Sequence, residues 1–147
     1  MAASHEARDP TGAAPALDFD AIIIGAGMSG MYQLHRLRAE GMRVRVFEAG
    51  TGVGGTWYWN RYPGARCDSE SWYYCYTFDE ALAQEWTWTT KYPEQPEIRA
   101  YLEHVADRFD LRRDIRLGTT VIEARFDDHD AHWVVTTAER HPTALTR

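Results

Sequence analysis

No run of apolar residues in this sequence approaches the ~18–20 positions that a helix needs to cross a bilayer, so a membrane-spanning helix is not expected. The first eighteen residues are rich in Ala, Asp and Pro and hold no apolar stretch. They therefore read as a disordered, solvated tail and not as a secretory leader. Cysteine is scarce. Cys67 and Cys75 are the only two, too few for a disulfide scaffold, and with no export signal they are expected to be free thiols in a cytoplasmic protein. An excess of basic charge is also missing. Sixteen Lys and Arg stand against 22 Asp and Glu, a net charge of −6, which argues against a nucleic-acid partner. No internal repeat is present, and no low-complexity tract beyond the tail.

What is present is a chain of 147 residues, one domain's worth, with an ordinary apolar share of 44 % that can supply a core. Its signal begins at Phe19–Ile24, a short β-branched run that reads as a buried parallel strand. Gly25-Ala26-Gly27-Met28-Ser29-Gly30 follows at once. In a dinucleotide fingerprint the first glycine allows a tight turn and the second lets backbone approach a pyrophosphate. The third lets a helix pack closely on the strand. Met31, Leu34 and Leu37 then recur at helical spacing over Met28–Glu40, and Gly41 suits the helix end. A second strand, Val44–Phe47, ends at Glu48, 18 residues after Gly30. An acid there accepts hydrogen bonds from the adenosine ribose and repels a 2′-phosphate, favouring FAD or NAD over NADP at this site. The pyrophosphate is expected on the helix N-terminus, where free N–H groups and the dipole favour an anion.

A second glycine piece, Gly54-Gly55-Thr56-Trp57, opens an aromatic stretch. Residues 57–92 hold 12 of the chain's 19 aromatics. Two readings stay open on composition: a flat ligand stacked between rings, or a packed excursion from the βαβ unit. Further on, Pro96–Leu111 reads as an amphipathic helix with Ile98, Tyr101, Leu102, Val105 and Phe109 on one face, so His104 within it is a boundary residue and not a ligand. Thr119–Phe126 and His132–Thr137 read as a hairpin. The intervening Asp127-Asp128-His129-Asp130 is expected to be a polar turn, since its spacing matches no standard metal site.

The residues Val53–Trp57, Trp59–Asp68 and Tyr74–Tyr76, continuing through Gln84–Trp86, Gln95–Ile98 and Val105–Leu111, resemble the flavin-binding part of Baeyer–Villiger monooxygenases of the phenylacetone and cyclohexanone monooxygenase group. The likeness covers about residues 20–137. It implies an α/β fold: a Rossmann-like FAD-binding βαβ unit with a helical excursion and a β-meander, forming an incomplete domain. It also implies an oxidoreductase that uses FAD, NADPH and O2 to convert ketones to esters or lactones through a C4a-peroxyflavin. By resemblance, Gly25, Gly27, Ser29 and Gly30 line the FAD pyrophosphate and Glu48 holds the ribose. Gly55, Thr56, Trp57 and Trp59 run beside the phosphate and ribityl chain, Asp68 and Tyr74 lie near the flavin ring, and Val121 touches the adenine by backbone. Arg66, Cys67 and Asp68 border the nicotinamide of NADPH. Asp68 is the candidate catalytic residue, holding in place an arginine that stabilises a peroxide anion. Without the resemblance Asp68 reads as a turn residue capping backbone N–H groups after Pro63-Gly64, and Arg61 and Arg66 as solvated cations.

The sequence thus divides into a tail (1–18), a partial FAD-binding unit (19–137) and an ending (138–147) that leaves the family pattern. The family's second glycine fingerprint, its Phe-x-Gly-x-x-x-His-x-x-x-Trp signature and the arginine partner of Asp68 do not occur in these residues. The isolated chain is therefore expected to expose apolar sheet surface, to bind FAD weakly or not at all, and not to turn over. Two other readings remain: an N-hydroxylating flavin monooxygenase, against which Trp59–Asp68 speaks, and a truncated FAD-binding fragment without catalysis.

Overall fold

The structure is a computed structural model, and it describes residues 17–139. Residues 1–16 and 140–147 lie outside the described residues, and with them nearly all of the expected tail and off-pattern ending. Ala138 and Glu139 belong instead to the last strand.

Strand β1 (Ala21–Ile24), helix α1 (Met28–Ala39) and strand β2 (Val44–Phe47) follow one another as the sequence pattern predicts. The strands pair in parallel with Ala21 opposite Val44 and Ile24 opposite Phe47. Met31 and Leu34, one helical turn apart, are fully buried on the α1 face that packs on the sheet. Gly41 ends α1 in the left-handed region at φ +80°. Its N–H donates to the Arg38 carbonyl and that of Met42 to the Leu37 carbonyl, the paired bonds of a Schellman motif.

Strand β1 departs from the expected all-round burial. Ile23 faces the core, but Ile22 and Ile24 are 36 % and 64 % exposed. The physical reason is position. The sheet order is β1-β2-β3, so β1 is an edge strand, and α1 covers only one of its faces. The uncovered face borders a cleft of about 550 Å³ that Trp133 and Val135 line from the other side.

The third strand, β3 (Ile115–Arg116), carries no sequence pattern. It pairs in parallel with β2, Ile115 opposite Val46. Residues 48–114 are thus one long crossover. It contains α2 (Thr56–Trp59), α3 (Glu80–Glu85), α4 (Gln95–Arg108) and a 3-10 turn (Arg112–Asp114). The Asp79 carboxylate caps α3 by accepting from the Leu82 N–H. Ile98, Tyr101, Leu102 and Val105 of α4 are buried as its periodicity predicts.

The crossover shows which rings of the aromatic stretch serve packing. Tyr76, Trp86 and Trp88 pack around Tyr101 of α4, with ring centroids 6.1, 5.4 and 5.1 Å away. Phe78 stacks on His35 of α1 at 4.5 Å. Tyr76 donates its hydroxyl to the Met28 carbonyl and its N–H to the Tyr101 oxygen. Burial pushes the Tyr101 phenol up to about 12 and the Tyr76 phenol higher still. These rings are packing. Trp59, Tyr62, Trp72 and Tyr73 remain exposed.

Strands β4 (Thr119–Asp127) and β5 (His132–Glu139) form a separate antiparallel hairpin with an irregularity between Val121 and Glu123. In its turn one Asp127 oxygen accepts from the N–H groups of His129 and Asp130. These backbone bonds hold the Asp127 carboxyl below its usual range. Among the described residues no helix is long and apolar enough to cross a membrane.

Candidate dinucleotide site

The end of β1 builds the site. Gly25 adopts φ +96°, which a side chain would strain, and its N–H donates to the Phe47 carbonyl at 2.8 Å. The chain turns there and enters α1 through Gly27. No side chain caps this helix and its first turn holds no acid, so the first-turn N–H groups and the positive end of the dipole face outward. Gly30 explains how helix and turn come so close. A Cβ on it would stand 2.0 Å from the Gly25 carbonyl oxygen.

The two glycine pieces meet. The Gly54 N–H donates to the Ala26 carbonyl at 3.0 Å. A Cβ on Gly27 would lie 3.3 Å from the Gly55 Cα, and one on Gly55 only 2.8 Å from the Gly27 Cα. The bareness of Gly27, expected to serve a pyrophosphate, therefore also serves the second piece. Gly54 and Gly55 take φ +128° and +55°, and α2 starts immediately after them.

Glu48 is buried, 4 % exposed. Its Oε2 accepts from the Ala26 N–H at 2.7 Å and its Oε1 from the Gly50 N–H at 2.6 Å. One carboxylate thus ties the first turn to the loop after β2. The hairpin is anchored to the same place: the Thr119 N–H donates to the Glu48 carbonyl and the Gly118 N–H to the Gly50 carbonyl.

An open cleft of about 330 Å³ lies over this junction, lined by Gly25, Gly27, Ser29, Gly30, Thr56, Trp57 and Tyr74 among the expected cofactor residues. Trp57 is buried and donates its indole N–H to the Tyr74 oxygen at 2.9 Å, the rings meeting edge to face. Gly55 underlies the cleft through its contact with Gly27.

The remaining expected residues do not line this cleft. Trp59 is exposed at the end of α2. Arg66 is exposed, as a solvated cation is, and there it pairs with Glu94 and donates to the Tyr92 carbonyl. Cys67 is a buried core residue whose N–H donates to the Pro93 carbonyl. Asp68 is exposed and caps no backbone N–H among the described residues, unlike the turn reading of it. Val121 lies half-buried in β4, opposite Thr137. Arg61 lies over the Tyr58 ring at 4.4 Å. Both cysteines are unpaired, and burial pushes the Cys75 thiol up. His104 is half-buried with Nε2 3.4 Å from Glu85.

Sequence reasoning missed Gln95, whose buried side-chain amide donates to the Trp57 carbonyl and locks α4 to α2. It missed Tyr58 as well. No periodicity signals a single buried amide; for Tyr58 the one available signal is the glycine at 50 and 52, where a Cβ would meet its ring.

Strand, glycine turn, uncapped helix and buried terminal acid together define a dinucleotide-binding Rossmann unit. The comparisons agree: a model of the NAD(P)-binding Rossmann-like domain matches residues 23–105, and the chain belongs to that family. The chain is 52 % identical over 120 residues to an acetone monooxygenase (methyl acetate-forming) of Gordonia sp. (strain TY-5), covering 82 % of this chain and 22 % of that protein. It is 50 % identical over 121 residues to the phenazine N-monooxygenase PhzNO1 of Lysobacter antibioticus, with the same coverage. The solved structure of an oxidized steroid monooxygenase bound to NADP superposes with a TM-score of 0.80 at 60 % identity, over 81 % of this chain and 23 % of that one. The chain thus spans about a fifth of the length of these relatives.

Proposed function

We propose that this chain is the FAD-cradling part, residues 19–137, of an NADPH- and O2-dependent flavin monooxygenase that oxidises ketones to esters or lactones. The observation that carries the reading is the junction itself: Gly27 and Gly55 back to back at an uncapped helix N-terminus, with the Glu48 carboxylate bonded to the same turn. The likeness to an acetone monooxygenase that forms methyl acetate supports the reaction class, since its product is its ketone with one oxygen inserted beside the carbonyl.

The residues fit the cofactor. A side chain at Gly55 would collide with the Gly27 backbone and one at Gly27 would crowd Gly55, so both peptides stay bare where a pyrophosphate needs close approach. Gly25, Gly27, Ser29 and Gly30 would hold the pyrophosphate, with the α1 dipole favouring its charge. Glu48 would accept from the ribose with lone pairs its two backbone bonds leave free, and its charge would exclude a 2′-phosphate. Gly55, Thr56, Trp57 and Trp59 would follow the phosphate and ribityl chain, Tyr74 and Asp68 would lie toward the flavin ring, and the Val121 backbone would touch the adenine. Arg66, Cys67 and Asp68 would border the nicotinamide of NADPH. Bound FAD would accept hydride from NADPH and activate O2. The part of Asp68 is to hold a cation in place beside the developing anion, a preset charge that needs little reorganisation. The ketone and O2 are small-molecule partners. A cytoplasmic setting goes with the two unpaired thiols.

A second reading, oxygenation at nitrogen, is supported by the 50 % identity to PhzNO1 over the same region. The two relatives match this chain almost equally.

A chimera tests the proposal: residues 19–137 in place of the matching segment of the acetone monooxygenase. It should retain FAD and form methyl acetate with NADPH. A soluble chimera that binds no flavin would overturn the FAD reading; one that binds flavin and oxygenates phenazine at nitrogen but not acetone would favour the second. The 147-residue chain alone should hold FAD weakly and oxidise no NADPH.

A further inference from the structure

Glycine recurs at 50, 52 and 54, in a loop of which the cradle uses only the last position and Gly55. The ring of Tyr58 accounts for the pattern. A Cβ on Gly50 would lie 2.5 Å from the ring's Cε1, and one on Gly52 3.1 Å from Cε2. One on Gly54 would lie 3.3 Å from the Tyr58 nitrogen. Residues 50–52 thus wrap the phenol: a side chain at Gly50 or Gly52 would meet the ring, and one at Gly54 would meet the Tyr58 backbone and Cβ. The hydroxyl closes the wrap. It accepts from the Thr51 N–H at 2.9 Å and shares a second bond of 2.8 Å with Thr51 Oγ1. Two guanidinium groups fix the ring: Arg61 lies 4.4 Å from its centroid, and Arg99, held by Glu103 on α4, 5.4 Å.

We propose that Tyr58 is a positioning residue for the cradle: its ring is the former around which residues 50–52 fold, and the loop so fixed sets Gly54 and Gly55 against Ala26 and Gly27. The link to cofactor rests on the FAD reading; the link from ring to loop does not.

Amide exchange followed by NMR on the flavin-free chain tests it. The Gly54 N–H, bonded to the Ala26 carbonyl, reports the junction. Tyr58→Leu should speed its exchange about tenfold while the β1 and β2 amides keep their rates, since a lost contact of 1.4 kcal/mol is one decade. Tyr58→Phe keeps the ring, so it should restore Gly54 protection and expose only the Thr51 amide. Gly52→Ala should reproduce the Gly54 effect with Tyr58 intact, and should lose most of that effect in the Tyr58→Leu background, where the methyl has room. Unchanged Gly54 exchange in both single variants would overturn the proposal, as would a uniform rise across β1 and β2. If Tyr58→Leu does not fold, Gly52→Ala decides alone. FAD titration of the same substitutions placed in the chimera separates the two failures. If only the FAD reading fails, Gly54 still depends on Tyr58 and no variant binds flavin. If only this inference fails, Tyr58→Leu binds flavin as the parent does.

Discussion

Gly30→Ala exposes how tightly the first glycine turn is built. The added carbon would meet the Gly25 oxygen at 2.0 Å, the Gly25 carbon at 3.1 Å and the Ile23 side chain at 3.4 Å. A carbon–oxygen contact needs roughly 3.3 Å, so helix and turn must separate by about 1.3 Å. Both nearest atoms are backbone and cannot rotate aside. Overpacking of this kind costs about 3 kcal/mol, the upper end of its usual range. Alanine returns about 1 kcal/mol through its better helix propensity. The balance is a loss of about 2 kcal/mol, or a melting temperature lower by about 8 °C for a domain of this size. Thermal melts by circular dichroism, with urea titration alongside, measure it directly. Ser29→Ala, one residue away and exposed, is the control and should move stability by less than about 0.5 kcal/mol. A Gly30→Ala protein that melts at or above the parent temperature would refute the close approach of α1 to the turn.

Three further outcomes follow. Glu48→Ala strands the Ala26 and Gly50 N–H groups; it should destabilise the flavin-free chain by about 3 kcal/mol and, in the chimera, weaken FAD binding at least about tenfold, and unchanged affinity in a fluorescence titration of the chimera would remove Glu48 from the ribose site. Asp68→Ala, in the chimera, should leave flavin content intact and suppress ester formation; normal ester yield would sink its role. His35 should make stability fall with acid. Partial burial against Phe78 and Phe109, and then Arg36 and Arg38, hold its pKa below the ordinary value. The unfolded chain therefore binds the proton more readily as pH drops through about 6.5, and stability present above that pH erodes below it. Melts between pH 5 and 7.5 should show this slope, and His35→Phe should flatten it.

The parts that could be read in the sequence are those where a physical demand limits the residue type. Gly25 and Gly41 need positive φ and Gly30 a close approach, so each announces itself. The faces of α1 and α4 repeat with helical period, and β2 ends where the acid stands. What could not be read depends on partners far along the chain. Strand β3 has two residues and no period, and only its pairing with β2 makes it a strand. The exposure of Ile22 and Ile24 depends on which neighbours β1 has, which an apolar run does not state. Within the site, the glycines and Glu48 were legible from spacing. Asp68, Trp59 and Val121 rest on resemblance, since nothing in an exposed acid, an exposed indole or a half-buried valine marks a ligand.

The crossover between β2 and β3 has a consequence for folding order. Strands β1 and β2 join residues 23 positions apart, Ala21 with Val44, whereas β2 and β3 join residues 69 apart, Val46 with Ile115. Closing the longer loop costs only about 1 kcal/mol more, because the entropy grows with the logarithm of length. The delay is kinetic: non-local pairings are made late. The backbone bonds from the Glu48 N–H to Arg116 and from the Thr119 N–H to the Glu48 carbonyl can form only after residues 49–114 have collapsed. The end of β2 is therefore completed last. A slow-folding substitution anywhere in the aromatic crossover would delay completion of the Glu48 end of β2 while leaving the first glycine turn to form early.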